Sequence, residues 1–237
     1  MQTKRMFLFL LLWACSLPSC ATYRRRPMSL ATSCASSGPR LRQAWQALNE
    51  AIQTPGGCQV DNGQHCEVLR SEIERLSIDC PNNPEVLMAN ALLAFDLRNF
   101  ARTQQLLDEL FSLPGTYPEA AALRARLSLE QGNIPFALRF LNEQINQSGD
   151  HAGLRETYAS ALYLAGRFDD AMAQIAIAQR LGTPAWRVAY CQGLIEEAAG
   201  KFEAAKVRYQ EALQARPGWQ PAGSRLNALV ATGKVSR

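Results

Sequence analysis

A period of 34 residues constrains this chain more than its composition does. Gly132, Gly166 and Gly200 stand 34 apart, and Phe100, Ile134, Phe168 and Phe202 follow the same turn in step. Ala137, Ala171 and Ala205 form another column, while Ala91, Ala125, Ala159 and Gly193 mark a second column of small residues. Repeats of this length are supersecondary units, none of which buries its apolar face alone, so each stacks on its neighbours. The period therefore predicts an all-α solenoid forming one elongated body, a surface for holding something rather than a catalytic cleft.

The units run over 84–117, 118–151, 152–185 and 186–219, and the last is the most regular. Within it Gly193, Gly200, Phe202, Ala205, Tyr209, Ala212 and Pro217 fall at the spacing of the tetratricopeptide repeat (TPR), and residues 84–219 resemble that family. The resemblance implies two antiparallel helices per unit, stacked into a right-handed superhelical solenoid with a concave groove. The columns have physical reasons. Gly193 and Ala205 let paired helices approach closely. Gly200 permits a turn with positive φ, Phe202 fills the space beneath it, and Pro217 stops the second helix. Tyr209 and Ala212 face the neighbouring unit. Three departures stand out: Arg98 replaces the turn glycine, Thr103 the alanine, and Pro135 opens a second helix, where proline is tolerated.

Two flanking elements are expected. Residues 40–83 read as a degenerate helical pair, Arg40–Gln53 and Cys66–Asp79, with a cysteine-bearing loop between them. Within 220–237, Pro221–Ala231 repeats only the first-helix pattern and reads as a C-terminal capping helix. The total is about eleven helices and no strand.

The N-terminus reads as an address. Lys4 and Arg5 precede the apolar run Met6–Ala14, which is shorter than the roughly 20 residues that span a bilayer and fits a signal peptide over 1–19. Leu17-Pro18-Ser19-Cys20 resembles the bacterial lipobox, which implies lipidation at Cys20. Ser19-Cys20-Ala21 also suits ordinary cleavage after Ala21, which would release a soluble periplasmic protein. Ala21 and Thr22 follow Cys20, not the aspartate that, in enterobacterial lipoproteins, retains the protein at the inner membrane, so the resemblance implies the periplasmic face of the outer membrane. Residues 20–39, rich in Ser, Arg and Pro, read as a flexible tether.

Cys34, Cys58, Cys66 and Cys80 crowd the N-terminal third. In an exported chain they read as two disulfides, with Cys58–Cys66 and Cys34–Cys80 favoured among the three connectivities. Cys66 and Cys80 bracket one expected helix, which puts them about 21 Å apart and out of bonding reach. Cys191 reads as a buried thiol. His65 near Cys58 and Cys66 lacks metal-ligand spacing, so neither metal nor cofactor is expected.

A groove lined by first helices is what the resemblance offers for function. The repeat phase assigns to it Met88, Leu92, Phe95 and Asp96, then Ala122, Arg126, Leu129 and Glu130. Glu156, Ser160, Tyr163 and Leu164 follow, then Arg187, Tyr190, Leu194 and Glu197. Tyrosine and arginine are frequent binding anchors, and a peptide or protein partner suits such a surface. Replacing both Tyr163 and Tyr190 by alanine is expected to abolish binding without lowering the melting temperature. Met88, Leu92, Ala122, Glu156 and Tyr190 stand where the family's chaperone-type carboxylate clamp would be, so that clamp is absent.

The leading expectation is a periplasm-facing scaffold at the outer membrane, binding a partner in envelope, pilus or secretion assembly. In size and layout it resembles pilotins and lipoproteins of tight-adherence (Tad-type) pili. The net charge of +4, two of it from Lys4 and Arg5, implies no nucleic-acid partner. A soluble module binding a peptide or small ligand is the alternative. An enzyme is not expected: the two histidines sit in no recognisable constellation, and no nucleophile-elbow, zincin or P-loop motif is present. End faces of a solenoid can also pair, so a homo-oligomer stays open.

Overall fold

The computed structural model describes residues 37–53, 57–60, 64–148 and 151–235. The expected signal peptide, Cys20, Cys34 and most of the tether lie outside them. Among the described residues there is no strand. Eleven helices of twelve or more residues appear: α1 (Gly38–Gln53), α3 (Gln64–Asp79), α4 (Pro84–Asp96), α5 (Phe100–Ser112), α6 (Pro118–Glu130), α7 (Ile134–Ser148), α8 (Ala152–Leu164), α9 (Phe168–Arg180), α10 (Ala185–Ala198), α11 (Phe202–Ala215) and α12 (Gln220–Ala231). A four-residue turn, α2 (Gly57–Val60), stands between α1 and α3. None of the described helices is long and apolar enough to cross a membrane.

One boundary moves. Helix α1 begins at Gly38, so the last two residues assigned to the tether are helical, with Pro39 in a first turn that lacks partners for its N–H groups anyway. Packing also divides the chain into two compact units after Leu127, within α6, where the period suggested one body. Repeats touch only their neighbours, so cohesion in such an array is local.

In the N-terminal unit, α1 offers a helical stripe of Leu41, Ala44, Leu48 and Ile52 against Leu69, Ile73, Leu76 and Cys80. Val86, Ala89 and Leu93 of α4 close that core. Arg40 reaches both Glu72 and Asp79 at 2.7 Å, which brings the start of α1 to the end of α3. A side-chain cap starts α4: Asn83 accepts from the N–H groups of Glu85 (2.9 Å) and Val86 (3.1 Å), and Pro84 occupies the first turn. Leu87, Ala91, Leu106, Leu107, Leu110 and Leu123 form a second cluster. Thr103, the departure from alanine, is fully buried, and its hydroxyl donates to the Asn99 carbonyl at 3.0 Å. A methyl-sized site thus takes a hydroxyl without an unmet hydrogen bond.

The C-terminal unit has one continuous core over α8–α12. Gly193 of α10 meets Tyr209 of α11 so closely that a Cβ would lie 2.6 Å from its ring. Any larger residue would push the helices apart, which is why glycine holds this point of the small-residue column.

The first helices α4, α6, α8 and α10 and the capping helix α12 end in the same turn. The N–H of Gly200 bonds to Glu197, three residues back, and that of Lys201 to Glu196, five back. The pair of bonds is repeated at Arg98-Asn99, Gly132-Asn133, Gly166-Arg167 and Gly233-Lys234. This is the Schellman arrangement, in which a left-handed residue lets the chain reverse and satisfies the last carbonyls. The glycines have φ of 77°, 76°, 78° and 68°, and Arg98 adopts 56° without glycine's freedom. Val235 follows the last of these turns as Phe202 follows Gly200; Val235 is buried and Phe202 half-buried against the same core.

Candidate functional site: the first-helix faces

The residues assigned to the groove do not share one fate. In the C-terminal unit the first helices α8, α10 and α12 are bridged in sequence. Glu156 of α8 and Arg187 of α10 form an ion pair at 3.0 Å, each side chain only 7% exposed. Glu197 near the end of α10 accepts the Tyr209 hydroxyl at 2.7 Å, and Arg225 of α12 lies 3.4 Å from the same oxygen. Burial, reinforced by the Glu197 charge, pushes the Tyr209 hydroxyl far above the ordinary tyrosine range.

Burial and these contacts correct the expected roles of five residues. Tyr190 is 1% exposed, with its ring against those of Tyr209 (5.9 Å) and Trp219 (6.5 Å). It is a core residue, enclosed by Tyr209 of the paired helix and by Trp219 at the end of the same unit. Tyr163 is also buried, 6.3 Å from the Phe168 ring. Truncating both would cost several kcal/mol in packing, on the order of 3–5 for one large aromatic, so an unchanged melting temperature is no longer the expected result. Glu156 and Arg187 serve each other rather than standing ready for a partner. Leu194 is likewise in the core.

Ser160, Leu164, Glu197 and Arg225 remain half-buried on the first helices of this unit. At its edge the Arg216 guanidinium lies 4.5 Å from the Trp186 ring and 4.4 Å from that of Trp219, and those two rings are 4.7 Å apart. Arg216, Arg225 and the two tryptophans were missed from sequence. A signal existed: Trp186 and Trp219 are 33 apart, as are Gly200 and Gly233, so the capping helix continues the repeat one residue short.

In the N-terminal unit, Met88, Leu92 and Phe95 are half-buried against the core clusters, and Ala122 is buried. Arg126 stacks over the Phe95 ring at 5.0 Å. Asp96 accepts the Cys58 N–H at 2.7 Å. Burial raises its carboxyl above the usual range, against the opposing pull of that hydrogen bond and of Arg126. Leu129 is buried and Glu130 half-buried at the end of α6. The Cys58–Cys66 disulfide forms, and Cys80 is also disulfide-bonded, though its expected partner, Cys34, lies outside the described residues. Cys191 is buried in the core, as expected.

Comparison with known proteins supports the architecture. No protein-family model matches the sequence, and no curated protein matches it either. Solved structures do. A thermophilic TPR protein from Thermus thermophilus is 16% identical, with 82% of this chain and 99% of that one covered at a TM-score of 0.69. PilW, described as a widely conserved type IV pilus biogenesis factor, is 12% identical, with 86% and 96% covered at 0.60. YrrB, a TPR protein described as having an unusual peptide-binding site, is 11% identical, with 83% and 98% covered at 0.50. The fold of this chain is that of the tetratricopeptide repeat proteins. At such identities the likeness speaks for the fold alone.

Proposed function

We propose that this protein is a periplasm-facing scaffold, held at the outer membrane by lipid on Cys20, that binds a partner protein during envelope, pilus or secretion assembly. The observation that carries the binding role is the bridging of α8, α10 and α12 by Glu156–Arg187 and by Tyr209, Glu197 and Arg225. Bridges of this kind hold the first helices in fixed positions, so the half-exposed side chains beside them lose little freedom when a partner arrives. Half-exposed Arg225, Arg216, Trp186 and Trp219 are of the types that anchor interfaces. The anchor rests on the lipobox resemblance. The assembly role rests on layout, with the PilW-like fold in support. The soluble alternative keeps the support of Ser19-Cys20-Ala21.

A photo-crosslinking residue at Ser160 or Leu164, introduced in cells, tests both parts. Capture of a pilus, secretin or wall-enzyme subunit, lost when Arg225 is changed to Glu, together with diacylglyceryl on Cys20, is the expected result. No captured protein and an unmodified N-terminus at Thr22 would replace this reading with a soluble ligand-binding module.

A further inference from the structure

The first-helix face of the N-terminal unit already has something seated on it. Helix α2, tied to α3 by the Cys58–Cys66 disulfide, lies against the C-terminal end of α4. There the Cys58 N–H donates to Asp96 Oδ2 at 2.7 Å. Gly57, with φ of 54°, presses so near that a Cβ would stand 2.5 Å from Asp96 Oδ1. Cys58 itself is 8% exposed and belongs to the core that includes Val86, Ala89 and Leu93 of α4. Beside Asp96, the Phe95 ring carries Arg126 from the next first helix.

Phe95, Asp96 and Arg126 are residues the repeat phase assigns to the ligand-binding face. What Asp96 holds is a short piece of peptide: a backbone N–H on its carboxylate, with a glycine where no side chain fits. A carboxylate accepting a backbone N–H in a partly desolvated site is a strong, directional contact. A segment on the same chain is also present at a high effective concentration, so a free peptide competes with it poorly.

We propose that Asp96, flanked by Phe95 and Arg126, forms a peptide-binding site for a glycine-bearing segment, that Gly57–Val60 is its resident occupant, and that the Cys58–Cys66 disulfide holds that occupant in register. Closing a loop of eight residues' separation restricts where the segment can wander when it lifts off. An outside ligand of the same chemistry gains access only when the resident segment is displaced. The partner of the C-terminal unit has no part in this, so the two readings can fail separately.

The test uses the full-length chain and a fluorescein-labelled, oxidised peptide with the sequence of residues 54–67, followed by fluorescence anisotropy. Two variants vacate the site by different routes. Cys58→Ser with Cys66→Ser removes the tie, and Gly57→Ala drives the segment from Asp96 while leaving the disulfide intact. The peptide is expected to bind either variant at least ten-fold more tightly than the unaltered chain, and Asp96→Ala added to that variant should erase the gain. Circular dichroism melts identify a variant that has lost its fold, in which case the other carries the comparison. Equal binding by the unaltered chain and the folded variants, or a gain that survives Asp96→Ala, overturns the proposal.

Discussion

Arg98 stands in a column of glycines and adopts their left-handed backbone at φ 56°. For a residue with a Cβ that conformation costs roughly 1–2 kcal/mol. The guanidinium returns part of this by lying 4.9 Å from the Phe100 ring, a contact worth about 0.5–1 kcal/mol at an exposed position. Strain exceeds the compensation, so Arg98→Gly is expected to stabilise the protein by up to about 1 kcal/mol in urea denaturation. A loss of stability would mean that the stacked guanidinium outweighs the turn. The column made this position conspicuous in the sequence; its φ and the ring beside it belong to the folded chain. Tyr190 is the opposite case. Its sequence phase is that of a groove residue, yet Tyr209 and Trp219, 19 and 29 residues further on, enclose it. A hydrophobic period reports which side of a helix a residue occupies, not what later covers that side.

At the level of helices, the ion pair joining α8 to α10 is the most consequential contact. Both side chains are nearly fully buried, so removing one leaves the other charged and desolvated. Glu156→Ala is expected to cost about 3–5 kcal/mol, whereas Glu156→Met combined with Arg187→Met should recover most of it. Equilibrium melts of Glu156→Met, Arg187→Met and the double variant give the coupling energy directly. Additive losses would show that the pair contributes no specific coupling. Helix ends were legible because their signals are local: Pro135 in a first turn, and glycine after every first helix from α6 onward. The lodging of α2 on α4 was not legible. The loop between Cys58 and Cys66 was recognised as a disulfide candidate, but its hydrogen bond to Asp96 spans 38 residues and leaves no periodic trace.

For the molecule as a whole, pH offers a handle on the C-terminal unit. The Tyr209 hydroxyl titrates far above the ordinary tyrosine value because its ring is buried and its oxygen faces Glu197. A group whose pKa is raised by folding contributes stability that is complete below its unfolded pKa, about 10 for tyrosine, and drains away as pH rises beyond it. Urea midpoints should therefore fall from about pH 9 to 11, and Tyr209→Phe should flatten that fall while lowering stability at about pH 8 by about 1–2 kcal/mol. An equally steep alkaline loss in the variant would place its origin elsewhere.

The 34-residue period, with its small residues and turn glycines, was enough to determine helices, their pairing and the repeat fold, because those depend on contacts within one unit and with the next. Only the tertiary structure decided which faces stay open. The mutual pairing of Glu156 with Arg187 and the seating of Gly57 and Cys58 on Asp96 join residues from different units of the pattern, and the burial of Tyr190 depends on how Tyr209 and Trp219 fold back within its own unit. Such contacts follow from three-dimensional proximity, which a repeat implies for its own columns but not for the side chains and insertions that depart from them.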